Sequence, residues 1–563
     1  MRLVDLLLAE LEQFGCKAMF GIPGDFVLPL LQELEQRQQL PFHPLNHEPS
    51  VVYAADAAAR ISRAPSAALL TYGAGALNAV NAVAQAYVER VPVVIIAGFP
   101  GKAELAGTQA IHHQAKSVDS QRRIFAEVTE LQVRIDDPVR AGGQIRAALQ
   151  CCYEQSRPVL IEIPRDAIDF DCLQLPRYQK ASMPLTAQLQ MQNILAHRLQ
   201  QAQRPVFLAG IEVQRFDAGR ALENLALQLN IPLLTTLLAR AAVAPDHPCF
   251  HGTFIDKGMP GDTAQQRPYQ LLQDSDLIVH FGVIVNDTNF AAYPEFANGD
   301  KVLHLHQGTS YFPDSRFYDV DLSTICEGLL DRHLPRQHSW WTELTVPQHS
   351  QPEDLSNEGW DTTTVMKIID HELAQQDELV PIISDVGDCL FASLHANPRH
   401  LLAPAYYASM GFSIPAALGV HVSTGLRAVV VVGDGAFMMT GLELSRLQQQ
   451  GAMPIVVLLN NQSWDMIDAF APGLTCATMP ACDLLGIAAA QGATTHFSNS
   501  VDGFLQAFRQ AWREPASLQV IEVRLQQRRS ARLQAFAEGF VQRNRLQMDD
   551  HRSPLAQIET LPG

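Results

Sequence analysis

The chain has 563 residues, of which 47% are hydrophobic and 18% charged, and its formal net charge is −18. This acidic balance argues against a nucleic-acid partner, because phosphate binding depends on clustered Lys and Arg. The length exceeds what one hydrophobic core supports, so two to four domains are expected.

The apolar runs and the cysteines indicate a cytoplasmic protein without a membrane partner. Runs such as residues 93–97 are far shorter than the roughly 20 residues that a membrane-spanning helix needs. The chain start enters an acidic amphipathic pattern with Leu6, Leu7 and Leu11, which predicts a helix instead of a secretory signal. Nine cysteines, none in C-x-x-C spacing, favour a reduced compartment.

Short apolar runs alternate with helical patterns along the whole chain, which predicts α/β domains with parallel sheets. Proline-containing breaks divide the predicted strands into three sets of four. We therefore predict three doubly wound parallel-sheet domains, over residues 1–180, 190–335 and 355–563. The predicted strands are residues 18–21, 67–71, 93–97 and 159–163; 206–209, 233–236, 277–281 and 302–305; and 380–384, 429–432, 455–459 and 518–523.

The first domain carries polar groups near its predicted strand ends. Asp25 follows the first strand, and Glu48 stands just ahead of an Ala-rich helix over residues 52–60. Glu48 is either a charge in a first helical turn or a buried carboxyl that can share a proton. The adjacent His112 and His113 form either a solvated loop or a proton relay, because His titrates near neutral pH.

The second predicted strand is followed by Gly73-Ala74-Gly75 and then by a predicted helix, so a Gly-x-Gly turn connects a strand to a helix. The position of a third glycine holds Asn78, so a dinucleotide-binding fingerprint is disfavoured. A similar pattern recurs where residues 428–432 run into Gly433-Asp434-Gly435. Ligands bind at such strand ends in open parallel sheets.

The middle domain shows no clear ligand motif of its own. Its one candidate is Asp287, in a polar segment after the third strand of this set. Asp287 is either a turn-capping residue or a proton donor to an active site. A structural or regulatory role suits the rest of the domain.

The third domain holds a paired motif at two strand ends. Asp434 follows one apolar run, and Asn461 follows the next, about 25 residues later. A carboxylate and an amide suit Mg²⁺ that shares a bound diphosphate. The alternative is a tight turn and a strand cap. Residues 464–470 form a predicted helix whose first amides could face the diphosphate.

The spacing "GDG, about 25 residues, NN" resembles the diphosphate-binding motif of thiamine diphosphate (ThDP) enzymes. Glu48 in its "HE" context, Asp25 and the pair His112-His113 resemble residues of the ThDP-dependent 2-oxo acid decarboxylases. The resemblance covers essentially the whole chain and is strongest for the bacterial phenylpyruvate and indolepyruvate decarboxylase branch.

The resemblance implies ThDP and Mg²⁺ as cofactors, and a role for each candidate residue. Glu48 would engage the pyrimidine ring, and Asp25, His112 and His113 would transfer protons to and from the substrate. Metal ligands would be Asp434, Asn461 and the Ser463 carbonyl. The remaining cofactor contacts would come from Asp388, Ala408, Ser409, Met410, Gly435, Ala436 and Trp464, with Met410 as the wedge between the cofactor rings.

The resemblance also implies a homo-oligomer, a dimer of dimers. Family members bind the pyrimidine with the first domain of one subunit and the diphosphate with the third domain of another. The small-molecule partner would be a 2-oxo acid.

One position departs from the family pattern. Pyruvate decarboxylases carry a second catalytic Glu six residues beyond the metal-binding Asn, and this chain has Ile467 there. On a helix, Asp465 and Asp468 would point roughly 200° and 100° away from it. An apolar wall favours a bulky, aromatic 2-oxo acid, phenylpyruvate or indole-3-pyruvate, over pyruvate.

The missing Glu leaves the source of a product proton open between Asp25 with the His pair, and Asp287. The expected reaction is loss of CO₂ through a ThDP ylide with release of an aldehyde. The alternatives are a carboligase or acetolactate-type synthase, a branched-chain 2-oxo acid decarboxylase, and a catalytically silent cofactor-binding protein. A C-terminal helix pattern with Phe536 and Phe540 either closes over the site or only packs its aromatic side chains against the rest of the protein.

Overall fold

The structure is a computed structural model that describes residues 1–37, 39–180, 184–259, 261–291, 293–312, 315–341, 359–396, 401–526 and 529–552. Three sheets, flanked by helices, follow one another along the chain. The predicted α/β class with three sheets is confirmed. Most of the predicted second linker, including Pro347 and Pro352, lies outside the described residues.

The first sheet is six-stranded and entirely parallel, in the order β2-β1-β3-β4-β6-β5. Its strands are β1 (Met19–Gly21), β2 (Phe42–Pro44), β3 (Ser66–Leu70), β4 (Val93–Phe99), β5 (Leu131–Arg134) and β6 (Val159–Pro164). Its helices are α1 (Leu3–Gln13), α2 (Leu28–Arg37), α3 (Glu48–Ser62), α4 (Ala74–Asn78), α5 (Val80–Val88), α6 (Lys102–Leu105), α7 (Ser120–Phe125) and α8 (Pro138–Gln155). The strand order reverses between β1 and β3, which makes their carboxyl ends a ligand-binding position.

The middle sheet departs from the all-parallel prediction. Its order is β13-β12-β11-β10-β7-β8-β9, and β11, β12 and β13 pair antiparallel, because the short connection from β11 to β12 cannot make a crossover. Its strands are β7 (Pro205–Ala209), β8 (Leu233–Thr236), β9 (Phe250–Phe254), β10 (Leu277–Phe281), β11 (Val302–Leu305), β12 (Gly308–Phe312) and β13 (Ser315–Val320). Its helices are α9 (Leu185–Gln201), α10 (Ile211–Arg215), α11 (Gly219–Leu229), α12 (Thr263–Asp274), α13 (Asp287–Phe290), α14 (Pro294–Asn298) and α15 (Leu322–Leu330).

The third sheet repeats the topology of the first, in the order β15-β14-β16-β17-β19-β18. Its strands are β14 (Ile382–Ser384), β15 (Leu401–Leu402), β16 (Val429–Gly433), β17 (Ile455–Asn460), β18 (Thr494–Ser498) and β19 (Gln519–Arg524). Its helices are α16 (Thr362–Ala374), α17 (Asp388–Ala392), α18 (Ser413–Thr424), α19 (Asp434–Thr440), α20 (Leu444–Gln449), α21 (Asp465–Phe470), α22 (Leu484–Ala490), α23 (Val501–Arg513) and α24 (Ala531–Arg552). The two Gly-x-Gly patterns of the sequence therefore follow β3 and β16, which occupy equivalent positions in the two sheets.

The first and third domains pack directly against each other through α3 and α18. A Cβ placed on Gly419 would lie 2.0 Å from the carbonyl oxygen of Ala54, so the two helices meet at backbone distance. Within the described part of the chain, no helix combines the length and the apolar character that crossing a membrane requires.

Candidate active site

Three predicted catalytic residues meet at the carboxyl edge of the first sheet. His112 Nε2 lies 2.6 Å from Asp25 Oδ2, and Thr71 Oγ1 donates to Asp25 Oδ1 at 3.3 Å. Arg165 Nη2 also donates to Asp25 Oδ2, at 3.2 Å. Of the described His, Cys, Asp and Glu residues, only Asp25, His112 and His113 form a group of three with ligand-type atoms all within 4.8 Å of one another.

The surroundings of Asp25 favour its charged form. Burial acts to raise the pKa of this carboxyl, but the hydrogen bond with His112 and the charges of His112 and His113 outweigh it and lower the pKa below its usual value. Asp25 is therefore a carboxylate that accepts hydrogen bonds from its neighbours and stays ionised across the neutral range.

The His loop is held against the first sheet by a close backbone contact. His113 has a φ of +65°, and Gly73 opposite has a φ of +60°. A Cβ on Gly73 would lie 1.8 Å from the His113 carbonyl oxygen. The Phe26 ring packs beside both imidazoles, with centroid separations of 4.8 Å to His112 and 6.0 Å to His113. These contacts fix the two imidazoles next to Asp25.

Glu48 lies in the first turn of α3, beside a polar side chain. Its carboxyl is half-buried, and Asn78 Nδ2 donates to Oε2 at 2.7 Å. A Cβ on Gly75 would lie 3.3 Å from Glu48 Oε1, so α4 approaches the carboxyl closely. An amide side chain and solvent adjoin the group in the single chain, and its role toward the pyrimidine ring stays a prediction. From the sequence, Asn78 is identified only as the residue that breaks the glycine pattern, and its contact with Glu48 is not predicted.

The two halves of the predicted metal motif meet at the carboxyl edge of the third sheet. Gly435 N donates to Asp434 Oδ1 at 2.8 Å, and Gln462 N donates to Asp434 Oδ2 at 2.7 Å. Burial raises the pKa of the Asp434 carboxyl, and these backbone donors act in the opposite direction. The buried aspartate thus joins the ends of β16 and β17.

The loop after β17 is ordered by its own hydrogen bonds. Ser463 N donates to Asn461 Oδ1 at 3.1 Å, and Trp464 N donates to the Ala477 carbonyl at 2.7 Å. The Trp464 ring covers Gly435, since a Cβ there would lie 2.4 Å from the ring. Gly435 and the following Ala436 are buried under this ring.

The donor set at this edge fits Mg²⁺ and a diphosphate. Asp434 and Asn461 offer carboxylate and amide oxygens from neighbouring strand ends, which are ligands that a hard cation takes. A Cβ on Gly433 would meet no atom of the described residues within 4 Å, so the end of β16 has open space one residue before Asp434.

The segment with Ala408, Ser409 and Met410 is anchored by a residue that sequence reasoning passed over. Buried Asp385 accepts hydrogen bonds from Gly411 N at 3.2 Å and from Ser413 N and Oγ at 3.0 and 2.8 Å. Ala408 has a φ of +62°, which turns the chain just before Ser409 and Met410. Asp385 follows β14 directly, as Asp434 follows β16, and this parallel position was the signal that could have identified it.

Asp388 was predicted to contact the pyrimidine, and the structure gives it other partners. Ser530 N donates to Asp388 Oδ2 at 2.8 Å, and Ser530 Oγ bonds to Oδ1. Its carboxylate therefore holds the start of the C-terminal helix, whereas Asp385, three residues earlier, faces the segment before α18.

Asp287 is not brought to the other predicted residues. It is exposed in the first turn of α13, whose N-cap is Asn286. No contact among the described residues joins it to Asp25, Glu48 or Asp434. The side chain that caps α13 is that of Asn286, which accepts from Asn289 N, so both alternatives for Asp287 stay predictions.

Ile467 lies on α21 with 50% of its surface exposed. Both neighbouring acids turn to the C-terminal segment, since Arg529 contacts Asp465 and Asp468. Neither acid therefore takes the place of the missing Glu.

Comparison with known proteins matches three parts of the chain to thiamine pyrophosphate enzyme domains. Residues 1–122 match the N-terminal TPP binding domain, residues 193–323 the central domain, and residues 385–523 the C-terminal TPP binding domain. These matches contain the three sheets' central strands and both strand-end clusters.

Curated relatives match over most of the chain. Indole-3-pyruvate decarboxylase of Azospirillum brasilense is 37% identical over 84% of this chain and 86% of its own length. Acetolactate synthase of Mycobacterium bovis is 28% identical over 82% of this chain and 76% of its own length. Pyruvate decarboxylase isozyme 2 of Saccharomyces cerevisiae is 24% identical over 81% of this chain and 83% of its own length.

Proposed function

Since this chain belongs to the ThDP-dependent 2-oxo acid decarboxylase family, we propose that it converts a bulky aromatic 2-oxo acid, phenylpyruvate or indole-3-pyruvate, to the aldehyde and CO₂. The observation that carries this proposal is the hydrogen-bonded pair of Asp25 and His112 with His113 beside it. The indole-3-pyruvate decarboxylase relative and the apolar Ile467 support the aromatic substrate.

The cofactor would be held from both outer domains. Asp434, Asn461 and the Ser463 carbonyl would bind Mg²⁺, with Gly435, Ala436 and Trp464 beside the diphosphate. The segment Ala408, Ser409 and Met410 would contact the pyrimidine, and Glu48 its ring nitrogen. When bound, ThDP supplies the electron sink for the carbon–carbon bond that breaks.

Orientation and proton transfer would be the work of the protein. The carbon that loses CO₂ must gain a proton before the aldehyde leaves. Thr71 links the cluster around Asp25 to the Glu48 side of the site: Thr71 donates to Asp25, and a Cβ on Gly75 would lie close to both Thr71 and Glu48. Because Arg529 occupies Asp465 and Asp468, we assign the proton transfer to Asp25, His112 and His113.

A second subunit would complete the site. Met438, Met439 and Leu442, which follow the predicted metal ligand Asp434 within eight residues, are 47%, 51% and 62% exposed. Large apolar side chains at such density favour a covering protein surface. We propose that a second copy covers them in a dimer of dimers located in the cytoplasm.

The test is an assay of purified protein with ThDP, Mg²⁺ and a panel of pyruvate, phenylpyruvate, indole-3-pyruvate and branched-chain 2-oxo acids, with CO₂ and aldehyde read separately. Equimolar CO₂ and aldehyde, with the highest kcat/KM for an aromatic acid, is the expected result. The absence of CO₂ from every acid would contradict the proposal.

The carboligase alternative is supported by one observation, the acetolactate synthase relative, which is 28% identical to this chain. A carboligase retains the substrate fragment for a second carbonyl compound. Release of CO₂ with acyloin and little aldehyde in the same panel would favour that alternative.

A further inference from the structure

We propose that Arg529 is a positioning residue for the active site, which holds α21 so that Trp464 and Ile467 keep their places beside the metal motif. The part concerning substrate affinity rests on the proposed function. The part concerning α21 rests on contacts of this chain alone.

Arg529 joins the C-terminal segment to two acids of one short helix. Its Nη2 pairs with Asp468 Oδ2, and its Nε lies 3.6 Å from Asp465 Oδ1. The side chains of Arg529, Asp465 and Asp468 are 18%, 5% and 17% exposed. This three-residue cluster is thus largely removed from water, where each charge depends on the others.

The two acids lie on either side of Ile467, and α21 follows Trp464 directly. Trp464 is tied to the metal motif, because its ring covers Gly435. Its carbonyl also accepts from Ile467 N at 2.9 Å and Asp468 N at 3.0 Å. A displacement of α21 would therefore move Ile467 and the Trp464 backbone together.

Apolar contacts hold the other end of α21 to the same C-terminal helix. The Phe470 and Phe540 ring centroids are 5.4 Å apart, and Ala469 belongs to the core cluster that includes Leu533 and Phe536. Helix α21 has only six residues, so its own hydrogen bonds give it little independent stability. Its place is set mainly by α24 and by Arg529.

A neighbouring arginine provides the matched control. Arg532 Nη2 pairs with Asp256 Oδ1 at 2.8 Å, and both side chains are largely buried. This ion pair ties the same helix to the middle domain and does not contact α21. Loss of Arg532 removes this tie to the middle domain, but it leaves the apolar contacts of α24 with α21 and the pairing of Arg529 with the two acids in place.

The first experiment compares Arg529→Met with Arg532→Met by hydrogen exchange with no substrate present. We expect exchange in residues 465–471 to become about tenfold faster or more in Arg529→Met, because the uncompensated Asp465 gains by reaching water. The same peptide in Arg532→Met should match the wild type. Equal exchange in both variants would overturn the proposal.

The second experiment measures kcat and KM on the same proteins. Arg529→Met should raise KM for the bulky acid about fivefold to tenfold with kcat within about threefold, because the pocket wall moves and the proton-transfer residues do not. An unchanged KM beside faster exchange would overturn the role in the active site. If the wild type releases no CO₂, the proposed function fails while the exchange result stands.

Arg529→Lys keeps the comparison available if Arg529→Met does not fold. A single ammonium group cannot reach two carboxylates as a guanidinium does. In Arg529→Lys we expect the hydrogen-exchange rate of residues 465–471 to lie between the rates of the wild type and of Arg529→Met. Wild-type exchange and KM in Arg529→Lys would show that the paired contact is not what holds α21.

Discussion

At the scale of single residues, the proposed proton-transfer cluster depends on a glycine that has no reactive side chain. Gly73 allows the His113 carbonyl to approach the end of β3, where any side chain would collide with it. Sequence reasoning found Gly73 only as part of a strand-end pattern. Its functional contact comes from a loop forty residues later and could not be read from local sequence.

Gly73→Ala should therefore displace the His loop. The added methyl would lie 1.8 Å from the His113 carbonyl oxygen, at a φ that L-residues avoid. We expect kcat/KM to fall about tenfold or more. Gly143→Ala is the control, because its Cβ meets nothing within 4 Å in α8 and should leave activity unchanged. Normal activity in Gly73→Ala would contradict the assigned role of the loop.

Asp25 gives a prediction about pH. Its pKa is lowered in the folded protein, so the carboxylate becomes protonated only below the ordinary aspartate range of about 4. Between pH 5 and 8 it stays ionised, and any loss of activity on acidification in that window belongs to another group. Asp25→Asn should lower kcat about 100-fold without changing the shape of the pH profile above pH 5. Disappearance of an acidic limb in that variant would show that Asp25 itself titrates there.

The assignment of Asp388 shows where residue-level prediction ran out. Asp385 and Asp388 both follow a buried strand, and their spacing alone does not tell which faces the ligand edge. The two differ in their tertiary partners, since Asp388 bonds to Ser530 and Asp385 to Gly411 and Ser413, and the contact of Asp388 with the pyrimidine stays a prediction. Partners 142 and 28 residues away along the chain are not visible in a local motif.

At the scale of elements, the central strands were predictable and the outer ones were not. Predicted strands 67–71, 93–97 and 159–163 correspond to β3, β4 and β6, and each is buried along its length. Most strands that were missed lie at sheet edges, as the partly exposed β2 and β18 do, whereas the missed β12 lies between β11 and β13. An edge strand needs no continuous apolar run, because only one side of it is paired and covered.

Helix α21 carries the substrate preference in this account. Ile467→Glu should lower kcat/KM for phenylpyruvate relative to pyruvate about tenfold or more, because a carboxylate in an apolar wall must keep its water. Ile467→Leu is the matched control and should retain the preference. An unchanged ratio in Ile467→Glu would place the substrate side chain elsewhere.

At the scale of the whole molecule, a buried charge network joins the outer domains. Arg60 pairs with Asp56 and Glu89, and all three side chains are at most 5% exposed. Glu89 Oε1 also accepts from Tyr406 N and Tyr407 N at 2.8 and 2.9 Å, across the domain boundary. This network fixes the backbone of Tyr406 and Tyr407, which leads into the Ala408 segment. The packing of the two domains therefore affects the geometry of the site.

Arg60→Met should cost about 3–5 kcal/mol of apparent unfolding free energy, because two buried carboxylates lose their cation. Arg63→Met removes an exposed ion pair with Asp217 and should cost about 1 kcal/mol or less. Urea denaturation of both variants beside the wild type measures the difference. Equal, small losses would mean that the buried network adds little to the domain junction.

The central claim is that the chain releases CO₂ from an aromatic 2-oxo acid with Glu48 activating the bound cofactor. The most direct measurement is CO₂ and phenylacetaldehyde release from phenylpyruvate by the wild type and by Glu48→Gln, both with cofactor binding verified by titration. We predict equimolar products from the wild type and a loss of about 1,000-fold in Glu48→Gln with cofactor still bound. Near-normal turnover in Glu48→Gln, or no CO₂ from the wild type, would contradict the account.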